Sequence, residues 1–167
     1  MTTPPDLVPG TRDRRRREPT SVLFACTLNR VRSPMAEALA KRVVGTRVFI
    51  DSVGVRPEAQ SGEDEVDPFL AEVLDEIGLD PVRHKPKSFD QLEDASFDLV
   101  ISLSPEAHHQ AMELTRTMDC EVEYWPMPDP TAVEGTRDMR LDAYRQLRDM
   151  LMKRIHERLA PKPLGSL

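Results

Sequence analysis

Cys26 and Arg32, separated by five residues, are the pair in this sequence best suited to covalent chemistry on an oxyanion. Between them run Thr27, Leu28, Asn29, Arg30 and Val31, and Ser33 and Pro34 follow. A loop that curls at a helix N-terminus aims several backbone N–H groups at one point, and the helix dipole adds positive potential there. Such a point favours the thiolate, the form of cysteine that attacks. An arginine that closes the ring can hold two oxygens of a phosphate-like anion in its planar fork. Together these groups make a nucleophile aimed at a bound oxyanion. Cys-x5-Arg is a short motif in an arginine-rich chain, so its surroundings decide. The competing reading is an inert cysteine at the end of a buried strand.

The surroundings favour chemistry. Val22 to Ala25 form an apolar run of strand length ahead of Cys26. Ser33-Pro34 predicts a helix start, with Ser as the cap and Pro at the first helical position. Met35, Leu39 and Val43 then recur every four residues and give that helix an apolar face. Further strands are expected over Arg47 to Ser52, Phe97 to Leu103 and Glu121 to Trp125. Helical stripes fall over Val66 to Ile77, closed by Gly78, and over Arg137 to Leu159. In the latter, Met139, Leu141, Tyr144, Leu147, Leu151, Ile155 and Leu159 make the apolar side. Ser104-Pro105-Glu106 repeats the cap-then-proline signal. Strands alternating with helices imply an α/β domain: a four-stranded parallel sheet in three layers, helices on both faces. Its site belongs at the carboxyl ends of the strands.

Composition narrows the class. A chain of 167 residues suits one domain with a real core, expected here over residues 19–160. Residues 1–18 read as a disordered arm with the run Arg12-Asp13-Arg14-Arg15-Arg16-Arg17, and residues 161–167 as a flexible tail. The net charge of −6 argues against nucleic acid as a general partner. No apolar run approaches the roughly 18 residues of a membrane span, and the N-terminus lacks the apolar core of a secretory signal. Two distant cysteines fit a reducing compartment, so a cytoplasmic location is expected.

The run Val22-Leu23-Phe24-Ala25-Cys26-Thr27-Leu28-Asn29-Arg30-Val31-Arg32-Ser33-Pro34-Met35-Ala36-Glu37 resembles the signature of the low-molecular-weight protein tyrosine phosphatase superfamily, which also contains the thioredoxin-type arsenate reductases. The resemblance extends from about Ser21 to near Leu159. It implies Cys26 as the nucleophile, Arg32 as the oxyanion ligand and Ser33 as the hydroxyl that stabilises the leaving thiolate. Thr27 to Val31 become the phosphate-binding loop. Asn29 is implied to hold the loop's strained shape, tied to Ser52 and to His84. Taken alone, His84 reads as a surface loop histidine. Asp129, on a loop stiffened by Pro126, Pro128 and Pro130, matches the family's general acid, although Asp-Pro by itself signals only a turn. No metal or cofactor is required.

Departures from the family pattern shape the function. Leu28 stands where glycine is usual, Val31 replaces a second cysteine, and Arg30 adds charge at the pocket mouth. Thr131 and Ala132 follow Asp129-Pro130 where phosphotyrosine-specific members carry aromatics, which removes the physical basis for a tyrosine preference. The resulting expectation is a phosphomonoester hydrolase acting on a phosphorylated protein or a small ester, with phosphate or arsenate as bound anion. Segments such as His84-Lys85-Pro86-Lys87 also look like arsenate reductases. An internal disulfide relay needs two further cysteines, and only Cys120 is left, so a reductase here would borrow an external thiol. A silent oxyanion-binding module is the third reading, but binding alone would not need Asp129. His108-His109, adjacent in a helix, face different directions and read as a surface pair rather than metal ligands.

Overall fold

A computed structural model describes residues 18–59, 66–80, 84–92 and 96–161. Residues 1–17 of the expected arm (1–18) and all but the first residue of the expected tail lie outside the described residues. Four strands form one parallel sheet: β1 (Ser21–Cys26), β2 (Phe49–Gly54), β3 (Leu99–Ser102) and β4 (Glu121–Tyr124), in the order β2-β1-β3-β4. Four helices complete the fold: α1 (Arg32–Val44), α2 (Pro68–Asp75), α3 (Pro105–Leu114) and α4 (Arg137–Leu159).

Central strand β1 is buried along its whole length, and its side chains alternate between two cores, as the period of a strand demands. Val22, Phe24 and Cys26 point to the face covered by α1, α2 and α4, where Met35, Leu39, Leu147 and Leu151 are fully buried. Leu23 and Ala25 point to the face covered by α3, against Val100, Ala107 and Ala111. Both faces are therefore covered, which is why β1 reads as a continuous apolar run rather than an alternating one. Glu76 at the end of α2 bonds Arg145 and Arg148 of α4, and those guanidiniums hold its carboxyl at about 2.

Some boundaries differ from expectation. β2 starts two residues later than expected, because the Arg47 amide turns back to the Val44 carbonyl at 3.3 Å and Phe49 is the first residue paired with β1. It runs on to Gly54, which pairs with Cys26. Asp67 caps α2 through the amides of Phe69 and Leu70, so that helix spans less than the apolar stripe from Val66 to Ile77. Gly78 follows it at φ 77°, the left-handed turn for which glycine suits. Ser104 caps α3 as expected, accepting from the Ala107 amide. Met139, expected in the core, is 56% exposed.

Candidate active site

β1 ends and α1 begins within six residues, so the segment between must curl back over the helix N-terminus. The backbone bonds of the sheet continue past β2 to steady it. Val55 N–H donates to the Cys26 carbonyl at 3.1 Å, and Arg56 N–H to the Thr27 carbonyl at 2.8 Å. Contrary to expectation, Ser33 does not cap α1. The helix starts two residues earlier, Val31 takes the cap position, and no side chain satisfies the first amides. Those amides are left for a ligand.

Ser33 is fully buried and serves the sulfur instead. Its Oγ lies 2.9 Å from Cys26 Sγ and 3.3 Å from the Val53 carbonyl. A hydroxyl carries one proton, so it can donate to Val53 while Cys26 is a thiol and turn to the sulfur when Cys26 is a thiolate. The Asn29 amide also donates to Sγ, at 3.3 Å. Cys26 itself is only 3% exposed.

Asn29 is the keystone of the loop. It has φ 56°, and among the described residues it is the only non-glycine with positive φ. Such a conformation persists only where surroundings over-determine it. Asn29 Nδ2 donates to Ser33 Oγ (2.8 Å) and Ser52 Oγ (3.0 Å), and its Oδ1 accepts from Lys87 N–H (3.0 Å). His84 Nε2 donates to its carbonyl at 2.8 Å. Burial pushes His84 below its ordinary 6.5, so the ring is neutral near pH 7 and this bond fixes its proton on Nε2. Ser52 passes the chain on to Glu37 of α1 at 2.5 Å. The structure thus brings Cys26, Asn29, Ser33, Ser52 and His84 into one hydrogen-bonded cluster.

Leu28 requires no glycine-like conformation, since the left-handed residue is its neighbour. The glycine that the loop does require is Gly54. A Cβ there would meet Leu28 C and Asn29 N at 2.8 Å and Asn29 Cβ at 2.9 Å. Gly54→Ala is expected to cost about 1–3 kcal/mol and to weaken phosphate binding, because backbone must move. Urea unfolding and a phosphate titration check this; wild-type values in both would contradict so close an approach.

Arg32 Nη1 donates to the Met127 carbonyl at 3.3 Å. Met127 N–H in turn donates to the Leu103 carbonyl and Trp125 N–H to Ser102, which continues the β3–β4 ladder into the proline loop. The loop carrying Asp129 therefore abuts the arginine of the cysteine loop. Asp129 caps the short turn Pro130–Ala132, accepting at Oδ1 from Thr131 N–H (3.0 Å) and Thr131 Oγ1 (2.6 Å). Its carboxylate is held by Thr131, not by the cysteine loop. Arg30 lays a guanidinium nitrogen 3.3 Å from the Pro57 carbonyl, against the turn Pro57–Ala59. Thr27 Oγ1 donates to Ser104 Oγ at 3.0 Å, which braces the other side of the loop on the cap of α3.

A model of the low-molecular-weight phosphotyrosine protein phosphatases matches residues 21–162. This chain belongs to that family. Among its sequence relatives is an arsenate reductase of Halalkalibacterium halodurans, 29% identical over 134 residues, which cover 80% of this chain and 91% of the relative. Among solved structures, YwlE from Bacillus subtilis superposes with a TM-score of 0.64 at 25% identity, covering 83% of this chain and 95% of its own. YwlE is an arginine phosphatase, and one form of it carries a phosphorylated serine in the active site. An arsenate reductase in a phosphate-bound state shares the fold, with a TM-score of 0.60 at 24% identity over 83% of this chain and 95% of that one. The family thus holds both phosphatases and arsenate reductases, and its structures bind phosphate-like anions.

Several site residues escaped the sequence. Gly54, Glu37, Asp51, Lys87 and Ser104 all support the loop. Glu37 could have been found, since it follows Ser33 by one helical turn and shares its face. Elsewhere, His108 Nδ1 lies 2.9 Å from Ser102 Oγ and its ring stacks on Tyr124, while His109 is exposed. Among the described residues no group of three His, Cys, Asp or Glu could hold a metal ion, and no helix is long and apolar enough to cross a membrane.

Proposed function

We propose that this chain is a cysteine-dependent phosphomonoester hydrolase acting through a phosphocysteine. The observation that carries this reading is the meeting of Arg32 with the Met127 carbonyl, two residues before Asp129. It favours a nucleophile and an acid working at one anion. Arg32 and the amides at the start of α1 hold the non-bridging oxygens. The Cys26 thiolate attacks phosphorus, the ester P–O bond breaks, and Asp129 gives its proton to the departing oxygen. The Asp129 carboxylate then takes a proton from water, whose oxygen attacks phosphorus. The S–P bond breaks, and Ser33 donates a hydrogen bond to the returning thiolate.

A phosphorylated protein and a small ester both suit this chemistry. Thr131 and Ala132 offer no aromatic wall, so tyrosine selectivity finds no support. Kinship with an arginine phosphatase extends the candidate leaving groups to nitrogen, which Asp129 could protonate equally.

Sequence relatives named arsenate reductases favour a second reading. Arsenate fits a phosphate cradle, and its reduction would oxidise thiols. Cys120 stands at the amino end of β4, and Cys26 at the carboxyl end of β1 in the same parallel sheet. Cys120 therefore offers Cys26 no partner, and such a reductase would need an external thiol. One experiment separates the readings: hydrolysis of an aryl phosphate without added thiol, beside arsenate-dependent oxidation of glutathione. The hydrolase reading expects phosphate release in the first assay alone. Activity in the second alone would transfer the conclusion to the reductase, and binding without either activity to a silent module.

A further inference from the structure

We propose that the Asp51–Lys87 ion pair is a positioning device for the oxyanion loop, acting through the segment 84–88. That segment supplies two of the bonds that hold Asn29 in its left-handed conformation, from His84 Nε2 and from the Lys87 amide. Just beyond it, Phe89 and Leu92 pack against the core on the α3 side of the sheet. Gly54 N–H donates to the Lys87 carbonyl at 2.8 Å, and a single parallel bridge joins Gly54 to Ser88. A further tie is the side chain of Lys87, whose Nζ lies 2.5 Å from Asp51 Oδ1. The same Oδ1 accepts from the Ser52 amide at 2.8 Å, so the carboxylate is fixed at the strand residue that also bonds Asn29. Both side chains are largely shielded, at 32% and 20% exposure, which strengthens the pair relative to a surface one. The ion pair clips the segment onto β2, the clip keeps the His84 and Lys87 donors on Asn29, and Asn29 keeps the loop amides converged.

This inference rests on oxyanion binding alone and does not depend on whether hydrolysis or reduction follows. Its test uses charge against itself. If the two groups acted only through their fields on the bound anion, Asp51→Asn would tighten binding and Lys87→Met would weaken it. A positioning clip requires both changes to weaken it. The measurement is titration calorimetry of the full chain with inorganic phosphate at fixed ionic strength, with melting temperatures taken in parallel. Asp51→Asn and Lys87→Met should each raise the phosphate Kd about tenfold. The double variant should be no weaker than either single one, and Lys87→Arg, which keeps the pair, should bind nearly as wild type. Lys87→Gln replaces Lys87→Met if the latter does not fold. Opposite shifts in the two variants would overturn the proposal in favour of simple electrostatics. A lowered melting temperature with unchanged phosphate affinity would overturn it in favour of a merely structural pair.

Discussion

Cys26→Ser is expected to abolish ester turnover, by about 10⁴-fold or more, while phosphate still binds. The substitution leaves the anion-binding groups intact. The amides at the start of α1, the Arg32 guanidinium and the Asn29 scaffold all remain, and serine is close to cysteine in volume. What is lost is the sulfur nucleophile, and a hydroxyl at this position has no general base within its bonds. Cys26 Sγ contacts Ser33 Oγ and the Asn29 amide, neither of which can take a proton from serine. Phosphate titration and aryl phosphate hydrolysis on the same preparation check both halves. Surviving turnover would remove Cys26 as the nucleophile.

Asp129→Asn carries the second largest effect. An asparagine of the same shape can still accept from Thr131 at its oxygen, so the turn Pro130–Ala132 keeps its cap. Only the proton is lost. Hydrolysis of esters with poor leaving groups should fall by about 10²–10⁴, and phosphate affinity should stay near wild type. An ester whose leaving group departs as a stable anion should suffer less, because it asks less of the acid. Comparing two aryl phosphates of different leaving-group pKa in both proteins checks this. An equal loss for both esters, or none for either, would mean that another group is the acid.

How much of this was legible in the sequence depends on distance along the chain. The helix Arg137–Leu159 was legible because its apolar periodicity is a local signal. The fold class followed from the order of such signals. Ser33 shows where local reading misleads: serine before proline resembles a cap, yet here that serine is buried within the helix and bonds the sulfur. A local motif was overruled by a tertiary role. Ser52 and His84 were found only through the family resemblance, since nothing near them in sequence points to Asn29. Lys87 and Asp51 act on the loop across 58 and 36 residues of separation, from Asn29 and from each other. No periodicity encodes bonds of that range. The reason only glycine fits at position 54 is the backbone of Leu28 and Asn29 lying against it, which is a fact of packing.

The proposed hydrolysis passes through a covalent intermediate at one sulfur. The most direct test is to quench the wild type with acid during hydrolysis of an aryl phosphate and to map phosphorylated peptides by mass spectrometry. The account predicts a phosphoryl group on Cys26, formed within the first turnover and accumulating further in Asp129→Asn when the ester has a good leaving group. Steady turnover with Cys26 unmodified at every time of quenching, or phosphate carried by another residue, would contradict it.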